Sequence, residues 1–97
     1  METVIILGSG PAGLSAAIYT ARAQLAPLVF TGIDIGGQMA TTSMIENYPG
    51  FPEGVGGSEL AERFTKNAEK FGARIEYEAI TSVDLSKQPF KLFTYDQ

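Results

Sequence analysis

Three glycines carry the first chemical signal in this chain. In Gly8-Ser9-Gly10-Pro11-Ala12-Gly13 they stand at the spacing that lets a backbone wrap a diphosphate, and each has its own steric task. Gly8 permits a tight turn from a strand into a helix. Gly10 lets the main chain approach a pyrophosphate with no Cβ in the way, and Gly13 lets the helix pack closely on the strand. The pyrophosphate would lie against unpaired N–H groups at the positive end of the helix dipole. Such spacing also fits a plain tight turn, so its weight depends on what flanks it.

The flanks are those the chemistry needs. Thr3-Val4-Ile5-Ile6-Leu7 is β-branched and apolar, which suits a strand buried on both faces of a parallel sheet. Pro11 falls where a first helical turn tolerates it, because its missing N–H would be unpaired anyway. Leu14, Ile18, Ala21 and Leu25 recur at helical spacing, with Ala12, Ala16, Ala17 and Ala23 between them. An alanine-rich helix of this kind can lie close against a sheet. Pro27 is expected to end it, and Leu28-Val29-Phe30 to form a second short strand. Strand, glycine loop, helix and strand make a βαβ unit of about thirty residues with a right-handed crossover.

One expected partner is missing. The second strand of such a unit usually ends in an acid that binds ribose hydroxyls, but Thr31 and Gly32 stand there. Asp34 is either a substitute or a solvated loop charge. On this fingerprint alone, NAD and FAD both remain open.

From Gly32 to Gly57 the chain is glycine-rich and shows neither helical nor strand periodicity, and long loops of this kind are often functional. Ser58 reads as an N-cap, with Glu59 and Glu62 in the first turn to complement the helix dipole. Leu60, Phe64, Ala68 and Phe71 then form one apolar stripe, and Gly72 stands as the C′ residue. Ala73 to Tyr77 resumes strand character. Residues 80–95 read as an antiparallel hairpin added to the parallel sheet, turning at Ser86-Lys87-Gln88-Pro89.

Composition excludes several functions. The chain has 97 residues, 44% hydrophobic, with net charge −4, so it makes one small domain at most. No Lys/Arg cluster exceeds a scattered pair, which argues against nucleic acid. The apolar run Val4 to Leu7 is too short to span a bilayer, and a cytoplasmic protein is the default expectation. Cysteine and histidine are both absent. These residues therefore supply no disulfide, no Cys/His metal site, no Cys nucleophile and no His-based triad.

The loop after the second strand decides between the two cofactors. Thr31-Gly32-Ile33-Asp34-Ile35-Gly36-Gly37-Gln38, then Ala40-Thr41-Thr42-Ser43, then Ile45-Glu46-Asn47-Tyr48-Pro49-Gly50-Phe51 resembles the flavin domain of low-molecular-weight thioredoxin reductases. The Gly8–Gly13 loop and the segment Val83 to Leu92 resemble the same family, and the likeness runs over essentially all of the chain. It implies a Rossmann-like, three-layer α/β FAD-binding domain. Gly8, Ser9, Gly10, Pro11, Ala12 and Gly13 would wrap the FAD pyrophosphate. Thr31 and Gly32 would lie beside the adenosine ribose, so the missing acid is a family trait. Gly36, Gly37 and Gln38 would line the flavin side, Thr42 and Asn47 would hydrogen-bond near the isoalloxazine or ribityl chain, and Val83 would offer backbone contacts to the adenine. By residue type alone Gln38 and Asn47 read as ordinary loop polarity, Asn47 in an Asx-turn before Tyr48-Pro49. Tyr48, Phe51, Phe64 and Phe71 are expected in the core.

In that family hydride passes from NADPH to FAD, then electrons pass to a Cys-x-x-Cys disulfide and on to thioredoxin. The resemblance thus implies a homodimeric NADPH-dependent thioredoxin reductase. Without cysteine, and without a second glycine fingerprint, residues 1–97 are expected to be the N-terminal segment of a discontinuous FAD-binding domain. They would hold no catalytic residue; the NADPH/Cys-x-x-Cys domain and a C-terminal FAD segment would lie elsewhere. Two alternatives stay open: a relative that draws electrons from ferredoxin, and a non-catalytic FAD-binding fragment.

Overall fold

A computed structural model describes residues 1–33 and 35–94. In chain order it contains β1 (Ile5–Leu7), α1 (Pro11–Arg22), β2 (Leu28–Phe30), a 3-10 helix (Gly37–Thr41), α2 (Gly57–Lys70), β3 (Arg74–Glu76), β4 (Ser82–Asp84) and β5 (Lys91–Phe93). β1, β2 and β3 form a parallel sheet in that order. The expected βαβ unit is therefore present, and α2 carries the chain to the third strand.

Register explains the core. Ile6 pairs with Val29, and Val29 with Ile75, so these three share one face of the pleat. Val29, Leu14, Ala17 and Ala68 are wholly buried on that face, joined by Ala21 and Ala73, with Ile6, Ile18, Phe64 and Ile75 packed against them. The alanines let α1 and α2 approach the strands closely. Full burial of Leu14 contributes about 1.5–3 kcal/mol.

The opposite face corrects the expectation that the first strand is buried on both sides. Leu7 is 55% exposed. The antiparallel β4–β5 pair, with Val83 opposite Leu92, forms its own two-stranded sheet on the Leu7 side of β1. An open cleft lined by Ile5, Leu7, Val83, Leu85, Phe90 and Leu92 separates them. The expected end of this hairpin, Tyr95, lies outside the described residues.

Two helix ends differ from expectation. α1 stops at Arg22, short of Leu25, because Gln24 takes a left-handed conformation (φ 64°). The Gln24 N–H donates to the Ala21 carbonyl (2.9 Å) and the Leu25 N–H to the Thr20 carbonyl (3.0 Å), which is a Schellman motif. α2 ends in the same motif at Gly72 (φ 107°), as its C′ role requires: Gly72 N–H bonds the Glu69 carbonyl (3.0 Å) and Ala73 N–H the Ala68 carbonyl (3.1 Å). Ser58 does not cap α2. The N-cap is Gly56 with no side-chain bond, and Ser58 lies exposed inside the first turn. The aromatic expectation is met only in part. Phe64 packs on the core, whereas Tyr48 and Phe71 are 40% and 38% exposed. Among the described residues no helix is long and apolar enough to cross a membrane.

Candidate functional site

Steric detail separates the three glycines of the loop. Gly8 sits at φ 107°, and its N–H donates to the Phe30 carbonyl (2.8 Å), so the turn out of β1 is tied to β2. A Cβ on Gly13 would lie 2.1 Å from the Gly8 carbonyl oxygen, closer than any real contact, so the close packing of α1 on β1 needs glycine there. Gly10 differs from both. It is the N-cap of α1 in ordinary extended geometry (φ −75°, ψ −173°), and a Cβ there would meet nothing nearer than Gly37 Cα at 3.8 Å. A Cβ at Gly10 would touch the Gly36–Gly37 turn only at ordinary contact distance, so the fold itself does not demand glycine there.

Gly10 stands at a bare helix start. No side chain caps α1, and Pro11 occupies its first turn. The Ala12 and Gly13 N–H groups have no carbonyl four residues back within the helix. The helix dipole places roughly +0.5 charge at this end.

Two hollows border the loop, one at Gly8 and one at Pro11. On one side a cleft of about 500 Å³ is lined by Leu7, Gly8, Phe30, Thr31, Gly32, Ile33 and the run Ala79 to Val83. Thr31 is buried there; its N–H donates to the Glu76 carbonyl (3.0 Å) and its hydroxyl to the Gly32 carbonyl (2.9 Å). On the other side a hollow of about 310 Å³ gathers Pro11, Met39, Thr42, Met44, Ile45, Glu46, Asn47, Tyr48 and Leu60. Among the described residues neither lining contains Lys or Arg. Negative charge bound between them would therefore be met by backbone N–H groups and the α1 dipole.

Three backbone devices hold the second hollow in place. Gly36 adopts a left-handed conformation (φ 82°) as the N-cap of the 3-10 helix. Ile45 and Val55 form an antiparallel bridge. The Gly57 N–H donates to the Thr42 carbonyl (3.0 Å), which pins the 3-10 segment to the start of α2.

Residues 2–96 match the pyridine nucleotide-disulphide oxidoreductase family. The chain belongs to that family. Thioredoxin reductase 1, mitochondrial, of Arabidopsis thaliana is 55% identical over 94 residues, which cover 92% of this chain and 25% of that protein. Thioredoxin reductase 1 of Saccharomyces cerevisiae is 51% identical over 96 residues, 94% of this chain and 30% of the relative. The crystal structure of Lactococcus lactis thioredoxin reductase matches all of this chain and 32% of its own, with TM-score 0.91 and 38% identity. The resemblance read from the motifs is borne out, as is the α/β fold. The chain spans about a quarter to a third of the length of these proteins.

The expected site residues fall into three groups. Gly8, Thr31, Gly32 and Val83 come together at the first cleft. Gly8 through Gly13 form the loop, with Gly37 beside Gly10. Thr42 and Asn47 meet across the second hollow, both exposed. Gln38 is exposed as well, and it is its carbonyl that is engaged, accepting from the hydroxyls of Thr41 (2.8 Å) and Thr42 (3.2 Å). Asp34, the alternative ribose acid, lies outside the described residues.

Sequence reasoning missed some of the lining. Met39, Met44 and Tyr48 read as loop or core but face the second hollow, and Ile80 to Ser82 line the first. Only the glycines around them gave a signal. Tyr48 also packs edge-on to Phe64 with centroids 5.3 Å apart, so the hollow rests on the aromatic side of α2.

Proposed function

We propose that this chain binds FAD, with the adenosine in the Thr31/Gly32/Val83 cleft, the pyrophosphate on the Gly8–Gly13 loop and the flavin end toward Thr42 and Asn47. The observation that carries this reading is that two separate hollows border one uncapped glycine loop, one at Gly8 and the other at Pro11. A mononucleotide would engage one of them; a dinucleotide joined by a pyrophosphate spans both. The thioredoxin reductase names of the relatives extend the proposal to the full-length protein. It is an NADPH-dependent flavoprotein disulfide reductase acting on thioredoxin, as a cytoplasmic homodimer, and residues 1–97 are the N-terminal segment of its discontinuous FAD domain.

Bound FAD would supply the two-electron chemistry between NADPH and a disulfide. The task of these residues is to bind and orient it. With neither cysteine nor histidine, they hold no thiol or imidazole for acid–base or exchange steps. The backbone N–H groups of the loop meet the diphosphate charge, Thr31 and Gly32 shape the ribose side, and the Thr42 hydroxyl and Asn47 amide supply donors and acceptors at the flavin end.

The test is a titration of the full-length apoprotein with FAD and with FMN, which lacks the adenylate. FAD is expected to bind at least about tenfold more tightly, roughly 1.4 kcal/mol. Equal affinity for FMN, or no binding of FAD, overturns the assignment.

A further inference from the structure

Ser9 stands inside the glycine fingerprint, yet its hydroxyl oxygen is turned inward. It is 3% exposed, and its Oγ accepts a hydrogen bond from the Gly36 N–H at 2.9 Å, deep in the protein and far along the chain. Gly36 is itself buried. Its left-handed conformation starts the 3-10 helix that leads to Thr42 and the second hollow. Close contacts wedge the same turn on either side: a Cβ on Gly37 would be 3.0 Å from Gly10 Cα, and one on Gly36 would be 2.8 Å from Ala61 Cβ. The Gly36–Gly37 turn thus lies between the glycine loop and α2, with the Ser9 bond as its polar tie to the loop.

We propose that Ser9 is a positioning residue that locks the Gly36–Gly37 turn to the glycine loop, so that the pyrophosphate cradle and the flavin-side hollow are held at a fixed separation. The proposal rests on the FAD reading above. Its physical basis is the cost of an unmade bond: a buried N–H that loses its acceptor must open to water or stay unpaired, and either outcome loosens the turn. A ligand confined to the loop and the adenosine cleft does not need that separation. A ligand that reaches both hollows does.

The experiment uses Ser9→Ala in the full-length apoprotein with three readouts: hydrogen exchange of the Gly36 amide, FAD affinity and ADP affinity. ADP carries the adenosine and diphosphate but no flavin. Gly36 exchange is expected to rise by at least about tenfold, and FAD affinity to fall on the order of tenfold, while ADP affinity changes by less than about twofold. Three results overturn the proposal: unchanged Gly36 exchange, equal losses for ADP and FAD (the mark of a direct phosphate ligand), or FAD affinity equal to wild type. Wild-type protein that binds no FAD overturns the cofactor reading and this inference with it. Wild-type binding with equal losses in the variant overturns this inference alone.

Discussion

α1 and α2 both begin on a glycine N-cap with no side-chain bond, and a Cβ on either would meet its nearest atom at 3.8 Å; the two starts part at the next residue, Pro11 in α1 and Gly57 in α2. At α2 the protein fills the space itself. The Gly57 N–H is taken by the Thr42 carbonyl, and a Cβ on Gly57 would fall 2.0 Å from the Met39 carbonyl oxygen and 2.1 Å from that of Thr42. At α1 the corresponding residue is Pro11, which has no N–H to donate, and a Cβ on the preceding Gly10 would meet the Gly36–Gly37 turn only at ordinary contact distance (3.8 Å). Gly57 excludes a Cβ for the sake of the fold, whereas at Gly10 the fold itself makes no such demand. Burial and hydrogen-bond satisfaction, not the residue type, tell them apart.

The sharpest break of that contrast is Gly57→Ala. Its methyl group would press on two backbone carbonyls that cannot swing aside, so overpacking should cost more than about 3 kcal/mol. Urea unfolding of the full-length protein checks this; a change below about 1 kcal/mol would show that the 3-10 segment moves freely. Gly10→Val is the converse. Extended geometry at Gly10 accepts any residue, and replacing a glycine N-cap by valine costs only about 1 kcal/mol. FAD affinity should nevertheless fall about 100-fold, near 2.7 kcal/mol, with far-UV circular dichroism unchanged. Full flavin absorbance in this variant would remove the loop from the pyrophosphate site.

Much of this was legible in the sequence because the signals are local. Gly8, Gly10 and Gly13 act within one turn of chain, and the alternation of apolar strand and alanine-rich helix around them is short-range. Gly72 was likewise readable, since a C′ residue is judged by the helix just before it. What escaped depends on distant neighbours. Nothing near Ser58 reveals that carbonyls from Met39 and Thr42 reach Gly57 and move the helix start upstream. Nothing in Ser9 announces Gly36. Tyr48 and Phe71 looked like core because they are aromatic, yet Tyr48 lines a hollow, and Phe71 lies beneath Arg22 and Lys70, whose cationic groups stand 5.4 and 5.5 Å from its ring centroid.

The other ends of the same two helices extend the comparison. Both close with a Schellman motif, but α2 has Gly72 at the left-handed position and α1 has Gln24. A non-glycine residue there carries a steric cost of roughly 1 kcal/mol. Gln24→Gly should therefore stabilise the protein by about 0.5–1 kcal/mol in urea unfolding, after the added freedom of glycine in the unfolded chain is set against the relief. A loss of stability would mean that the Gln24 side chain makes contacts worth more than the strain.

The smallest effect comes from the group that ties these two exits together. Arg74, just past the end of α2, donates to the carbonyl of Ala26, just past the end of α1 (2.6 Å), and pairs with Glu2. The hydrogen bond from Arg74 holds the Glu2 carboxyl below its ordinary value. A carboxylate depressed in the folded state stabilises fully above its unfolded pKa, about 4.3 for glutamate. That contribution is lost as pH falls through the lower folded value. Glu2→Gln should therefore lower the unfolding midpoint slightly at pH 7, and the gap to wild type should close as the solution is taken well below pH 4.3. Exposure of the pair and screening by salt keep the effect small. The helix starts predict a further contrast: this pair faces neither hollow, so Glu2→Gln should leave FAD affinity where it is, and a change in affinity would tie the helix exits to the cofactor site.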